Sequence, residues 1–427
     1  MSHFALIAPP FLSHVRALES VAEILVARGH RATFLHQPDA GSLIRSPAIG
    51  FQALGETTHP PGSLAAISSH AGRPDGLFGL LRLVHDVSRA TTMLCREAPD
   101  ALRRIGADAV IADQMEPAGG MVAESLGLPF VSVACALPIN REPDIPLPFV
   151  PWPYDPSPQG RKRNRGGDYV SDLLTAEHAR AIENGAARLG LSRRRSLAEC
   201  LSPLAQISQT VAAFDFPRKN LPAHFHHVGP LRPLTEPEQA LDLPGRNARP
   251  LVFASLGTLQ GGRSAVFHAI AKACRALNVQ LLVAHCGGLS DRQARALGAT
   301  WVTDFAPQRA VLSHSALAIT HAGLNTVLDA LSLGVPLVAI PIAFDQPGVA
   351  ARIVHAGVGE RLGRRLLSDT KVRGAVSRLL SDASYRERAA ALREDIAASG
   401  GASRAADIIE AVAGTQAPVV APSRPGG

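Results

Sequence analysis

One rhythm is stated twice in this sequence, and it leaves few folds open. An apolar run over 4–8 is followed by Leu18, Val21, Ala22, Leu25 and Val26, which recur at helical spacing on one face. Gly29 stops that pattern, and a second apolar run follows over 32–35. This is strand, helix, strand. Short apolar runs over 109–112 and 129–134, with a helical pattern over 118–126 between them, extend it. Beyond residue 250 the rhythm restarts, with strands predicted over 251–255, 280–284, 301–305, 317–320 and 336–340. Strands joined through helices pair in parallel, so the chain is predicted to be α/β, with two Rossmann-like, doubly wound sheets facing across a cleft.

The break between the two halves is written in proline: Pro217, Pro222, Pro230, Pro233, Pro237, Pro244 and Pro250. The predicted units are therefore residues 1–215, a linker over 216–250, and residues 251–414. The Pro, Gly, Ser and Ala-rich tail over 415–427 is predicted to be disordered. A length of 427 residues accommodates two cores. A second proline-rich stretch over 138–158 reads as an extended surface loop, either a plain linker or the lining of a cleft, with the basic run Arg161 to Arg165 after it.

Charge narrows the partners. The net charge of +7 favours phosphorylated ligands and anionic surfaces, but scattered basic residues and 4% aromatics argue against nucleic acid. Cys95, Cys135, Cys200, Cys274 and Cys286 form no C-x-x-C pair and read as reduced thiols, as expected of a cytoplasmic protein. The opening MSHFALIAPP reads as a first strand, and no apolar run is long enough to cross a bilayer. No feature specifies an oligomeric state.

Chemistry concentrates over 305–346. A predicted strand runs into His321-Ala322-Gly323, and a helix follows from Asn325, with Thr326 and Asp329 spaced like a capping box. Such a turn points backbone N–H groups and a positive dipole end outward, as a phosphate site requires. The turn Ser255-Leu256-Gly257-Thr258 at the end of another strand allows close approach to a ligand. His14, between the first strand and first helix, is a base of suitable pKa for a hydroxyl, and Asp113 ends the strand over 109–112. The triplet His224, His226 and His227 reads as structural. No Asp-x-Asp occurs, and no metal site is expected.

Phe305-Ala306-Pro307-Gln308, His321-Ala322-Gly323-Leu324-Asn325-Thr326 and Asp345-Gln346 together resemble the nucleotide-sugar signature of the UDP-glycosyltransferases with the GT-B fold. The resemblance implies that Phe305 stacks on uracil, Gln308 and Asp329 reach the ribose, and His321, Asn325 and Thr326 hold the diphosphate. Asp345 and Gln346 would take the sugar hydroxyls, and Ser255, Gly257 and Thr258 would face the diphosphate. It further implies that His14 is the base and Asp113 its orienting carboxylate. Plant members carry Trp at the positions of Phe305 and Leu324, and Glu at that of Asp329.

Segments around His14, Asp113-Gln114-Met115-Glu116-Pro117, Ser202-Pro203-Leu204-Ala205-Gln206 and Phe344-Asp345-Gln346-Pro347-Gly348 look like the bacterial carotenoid glucosyltransferases. That implies UDP-glucose as co-substrate with no further cofactor, and the ring hydroxyls of zeaxanthin, or a similar lipophilic alcohol, as acceptor. Peripheral contact with the anionic inner face of a membrane is expected with it. Transfer to another lipophilic alcohol or phenol, a nucleotide-sugar epimerase, and a non-catalytic sugar-nucleotide sensor are the alternatives. His14 and Asp113 together speak against the sensor, which needs neither.

Overall fold

The computed structural model describes residues 1–72, 76–233 and 242–421. The first sheet contains β1 (His3–Ile7), β2 (Arg31–His36), β3 (Gly50–Ala53), β4 (Ala109–Asp113), β5 (Phe130–Ala134), β6 (Gln206–Ser208) and β7 (Phe225–His227). The second contains β8 (Leu251–Ser255), β9 (Gln280–Ala284), β10 (Trp301–Thr303), β11 (Leu317–Thr320), β12 (Leu337–Ala339) and β13 (Gly359–Arg361). The orders are β3-β2-β1-β4-β5-β6-β7 and β10-β9-β8-β11-β12-β13. Every pairing is parallel.

Each sheet reverses its winding beside its first strand, between β1 and β4 and between β8 and β11. The loops that leave the two strands at such a point go to opposite faces, so a crevice opens at their carboxyl ends. His14 and Asp113 lie at the first crevice, and Ser255 and His321 at the second. The central strands β1, β4, β8, β9 and β11 are buried along their length, which is why they read as continuous apolar runs.

The linker is more structured than its prolines suggest. Residues 225–227 form β7, the last strand of the first sheet, so His224 to His227 is a sheet edge and its margin. Pro237 lies outside the described residues. The chain also crosses back. The helix Gly401–Thr415, which the periodicity groups with the second unit, packs Ala402, Ala405, Ile408, Ile409 and Val412 into the core built on Phe4, Leu18 and Val21. Arg28 clamps it through Glu410 at 2.5 Å and Asp407 at 2.9 Å. An apolar helical face carries no label for the sheet it covers, so sequence spacing could not assign it. The predicted tail is ordered as far as 421: Val419 and Ala421 donate backbone hydrogen bonds to Leu204 and Ala223. Residues 422–427 lie outside the described residues.

The stretch over 138–158 is a strap across the two units. Ile145 packs with Phe216 and Ala351, and Tyr154 stacks on Phe216 at 5.9 Å. Helix Gln346–His355 carries Gly348 where any Cβ would collide with the Pro148 carbonyl. Ile145 and Leu147 are buried, and the Arg163 guanidinium covers the Trp152 ring, so Phe149 is the large apolar residue of this stretch left exposed. The basic run is helical, in Pro158–Leu174, because Ser157 caps that helix by accepting from Gly160 N–H at 3.2 Å.

Beneath the strap lies an ionic cluster. Asp215 accepts from Arg352 Nε at 2.6 Å and from Arg218 Nε at 2.9 Å. Arg218 also donates to the Asn140 carbonyl at 2.6 Å and lies 3.6 Å from Glu142. Arg352 is 1% exposed and lies over the Phe216 ring at 4.3 Å. Burial alone would raise the Asp215 carboxyl, but the two guanidiniums outweigh it and hold it well below the usual range. Replacing Arg352 by Met would leave a buried carboxylate one partner short. Arg352→Met is expected to cost about 3–5 kcal/mol, read as a lowered urea midpoint; an unchanged midpoint would show that the cluster does not hold the units.

Candidate active site

The first half-site grows from β1 and β4. After Ile7 the chain leaves the sheet and bends at Pro10, where Phe11 N–H returns to the Pro9 carbonyl, and the helix Leu12–Ala27 starts with Phe11 as its cap, which places His14 in the first turn. Its Nδ1 lies 2.7 Å from Asp113 Oδ2. Asp113 is buried, and its other oxygen accepts from Met115 N–H at 2.8 Å. A carboxylate can only accept, so Nδ1 carries the proton and Nε2 keeps its lone pair. Burial disfavours the imidazolium, but the charge and hydrogen bond of Asp113, with the charge of Asp345, outweigh it and raise the His14 pKa.

Sequence spacing gave no hint of a third group here. Cys135, just past β5, brings its sulfur to the dyad, so that ligand-type atoms of His14, Asp113 and Cys135 lie within 4.8 Å of one another. Burial and the Asp113 charge push that thiol well above its usual range, and it donates to Asp113. As protonated donors around one carboxylate, the imidazole and thiol form a hydrogen-bonded group.

The second half-site grows from β8 and β11. The His321 ring lies between two glycines. A Cβ on Gly257 would come within 2.7 Å of it, and one on Gly323 within 2.5 Å. Only glycine permits that approach, and Ala322 adopts φ +66° to turn the chain there. Burial lowers the His321 pKa to about 4, although the Ser255 carbonyl accepts from the ring and opposes this. His321 is therefore a neutral donor at neutral pH. Helix Leu324–Leu331 follows with Gly323 as N-cap and no side-chain cap, so the N–H groups of its first turn remain available to a ligand. The expected capping box does not form. Thr326 instead donates to Gln308 Oε1 at 3.3 Å.

Gln308 in turn donates to Asp329 Oδ2 at 2.7 Å. The fold thus joins Gln308, Thr326 and Asp329 as one group, and adds a residue that sequence reasoning missed. Arg232 donates to Asp329 Oδ1 at 2.7 Å and to the Asn325 carbonyl at 2.9 Å. It stands two residues past Pro230 in the linker, where nothing in the local pattern marks it. Phe305 is 69% exposed and stands three residues before Gln308. Thr258 is exposed and Ser255 buried at the facing turn.

Asp345 and Gln346 open the helix Gln346–His355. Gln346 Oε1 accepts from Ile342 and Ala343 N–H groups at 2.9 and 2.8 Å, which fixes its turn. Burial raises the Asp345 carboxyl, opposed by the Leu137 N–H and by His14.

The two half-sites meet. Asn325 Nδ2 donates to the Ser13 carbonyl at 3.2 Å, and the Phe11 and Phe344 rings lie 6.4 Å apart. The arrangement offers a base with a buried carboxylate behind it, opposite an anion-binding helix end, in a single cleft.

The sequence over residues 4–395 matches the model of the UDP-glucoronosyl and UDP-glucosyl transferases. The chain is 50% identical over 427 residues to a zeaxanthin glucosyltransferase of Pantoea ananas, covering 99% of each. It is 44% identical over 422 residues to that of Pseudescherichia vulneris, covering 97% of this chain and 99% of the other. Among solved structures, the glycotransferase of kitacinnamycin superposes with a TM-score of 0.76 at 20% identity, over 96% of this chain and 98% of that one, a likeness of fold. With the family pattern running through both sheets and both half-sites, the chain belongs to the UDP-glucuronosyl and UDP-glucosyl transferase family and is a glycosyltransferase of the GT-B fold.

Proposed function

We propose that this glycosyltransferase moves glucose from UDP-glucose to the ring hydroxyls of zeaxanthin, forming first the monoglucoside and then the diglucoside, with inversion at the anomeric carbon. The 50% identity over the whole chain to a zeaxanthin glucosyltransferase supports the acceptor. The single observation that carries the chemistry is the 2.7 Å contact between His14 and Asp113 at the mouth of the first crevice, facing the helix end of the second.

In this reading the acceptor hydroxyl gives its proton to His14 Nε2 while its oxygen bonds to the anomeric carbon. The bond from that carbon to the diphosphate breaks with its electron pair, and UDP departs. Asp113 keeps the imidazole in the correct tautomer and stabilises the imidazolium. The charge developing on the leaving diphosphate is met by N–H groups of Leu324, Asn325 and Thr326, dipoles already oriented before reaction, while His321, whose single N–H is held by the Ser255 carbonyl, fixes the turn beside them. That set requires no cation, and turnover is expected to survive EDTA. Gln308, Thr326 and Asp329 take the ribose, Phe305 the base, and Asp345 and Gln346 the sugar.

A membrane partner has its own support. Along helix Pro158–Leu174, Lys162, Arg165, Tyr169, Val170 and Leu173 are all exposed, at helical positions i, i+3, i+7, i+8 and i+11. They make one stripe, basic at one end and apolar at the other, which suits an anionic lipid interface. Arg161 and Arg163 are committed elsewhere, to Asp144 and to Trp152 with the Pro153 carbonyl. No helix among the described residues is long and apolar enough to cross a membrane.

Product analysis with UDP-glucose should give zeaxanthin mono- and diglucoside in sequence and nothing from β-carotene. Rapid glucosylation of a water-soluble phenol with none of zeaxanthin would remove the carotenoid assignment. His14→Ala should lower the rate by about two to four orders of magnitude, with UDP affinity by calorimetry nearly unchanged. Because a base must be deprotonated and the His14 pKa is raised, activity should climb with pH through a midpoint above 6.5. Asp113→Asn removes the charge that raises it, so the midpoint of the acid limb should move to lower pH while the rate falls. Lys162→Gln with Arg165→Gln should weaken binding to anionic liposomes and leave UDP affinity alone; equal liposome binding would dismiss the stripe.

A further inference from the structure

We propose that Gln209, in the first unit, is a positioning residue for the donor in the second: it fixes which way the Asn325 side-chain amide faces, and so aims the Asn325 NH2 group at the diphosphate. This rests on the reading of the helix end Leu324–Leu331 as the diphosphate site.

Gln209 directly follows β6 and is completely buried. Its Nε2 donates to the Cys135 carbonyl and, at 2.9 Å, to Asn325 Oδ1. Amide nitrogen and oxygen are alike in shape, so orientation must be argued from partners. Here one partner decides it. The Cys135 backbone carbonyl can only accept, so the NH2 of Gln209 must face it, and the second hydrogen of that NH2 is directed at Asn325. Asn325 must then present its own carbonyl to Gln209, with its NH2 turned the other way. One hydrogen of that NH2 reaches the Ser13 carbonyl, beside His14. The other stands in the first turn of the helix, among the N–H groups available to an anion. A flipped Asn325 would set NH2 against NH2 at Gln209 and turn a carbonyl oxygen toward phosphate, unfavourable at both ends.

A second observation separates this from ordinary packing. Gln209 Oε1 is buried with no hydrogen-bond partner among the described residues. An unpaired buried carbonyl is costly, and an apolar residue would fill the same space without that cost. What the amide retains is the direction of two N–H bonds, one holding it to β5 and the other holding Asn325. The same relay ties the donor helix to the Ser13–His14 turn, so the donor is aligned by a residue that belongs to the acceptor's side.

The test is a set of variants assayed for UDP affinity by calorimetry and for separate KM values, with thermal denaturation as the folding control. Gln209→Met keeps the volume and loses the donor. It is expected to raise the UDP Kd and the KM for UDP-glucose about three- to tenfold with the zeaxanthin KM unchanged. Gln209→Glu, of nearly identical shape, offers Asn325 an acceptor in place of a donor and should weaken UDP binding further. In an Asn325→Ala background, Gln209→Met should have no additional effect. Unchanged UDP affinity in the folded Gln209 variants, or an undiminished effect of Gln209→Met when Asn325 is absent, overturns the proposal. If Asn325→Ala itself binds UDP normally, the diphosphate reading falls as well, which distinguishes the two failures.

Discussion

The contact of Arg352 with Asp215, 2.6 Å and closed off from water, sets the spacing on which the rest depends. Neither unit holds a complete site. The first carries His14 and Asp113, and the second carries the helix end and the turn at His321. Group transfer requires the acceptor oxygen within bonding distance of a carbon held by the other unit, and small misplacements cost large factors in rate. Two charges out of water add little net stability against an apolar pair, but they tolerate few alternative geometries. Arg218 and the Asn140 carbonyl extend the constraint into the strap, and Pro148 against Gly348 repeats it in a steric form.

The two histidines of the cleft share low-dielectric surroundings but are tuned in opposite directions by their partners. Burial lowers the pKa of both. At His14 a buried carboxylate lies 2.7 Å away and reverses the outcome. At His321 the partner is a carbonyl, which opposes burial weakly, and the imidazole stays neutral with its pKa at about 4. In the proposed reaction this separation suits the roles: the ring that must receive a proton sits beside a charge, and the ring that only donates a hydrogen bond has none. Environments that push like groups apart are how one site divides acid–base work.

How much of this was legible follows from what sequence patterns record. Strands β8, β9 and β11 stand where periodicity put them, because central parallel strands are buried on both faces and bounded by helices. The short edge strands β3, β7 and β13 escaped, since GFQA, FHH and GER mix polar residues into so few positions that no apolar run is left. His14 and Asp113 were paired through resemblance, and the fold brings them together by placing β1 beside β4. Arg232, Gln209 and Cys135 were not legible. Each acts through a contact between segments 22 to 116 residues apart in the chain, such as Gln209 with Asn325, and local spacing carries no trace of such contacts. The strap misled for a different reason. Its prolines mark an extended segment, but the destination of Ile145, against Phe216 and Ala351, is a tertiary fact.

Arg232 changes what a linker means in this fold. The connector does not simply join two bodies: it adds β7 to the first sheet, turns at Gly229 with φ +79° against Ser399, and then lays a guanidinium on Asp329. A carboxylate offers about four lone-pair sites, and Arg232 and Gln308 take two of them here. In the proposed reading Asp329 accepts from ribose hydroxyls while its charge remains compensated, its carboxylate fixed in position from two sides. The same guanidinium holds the Asn325 carbonyl at 2.9 Å, so the crossing segment, the Gln308–Thr326–Asp329 group and the helix Leu324–Leu331 form one hydrogen-bonded unit. In the proposed reading, donor recognition is therefore built partly from the segment that its prolines made look least structured.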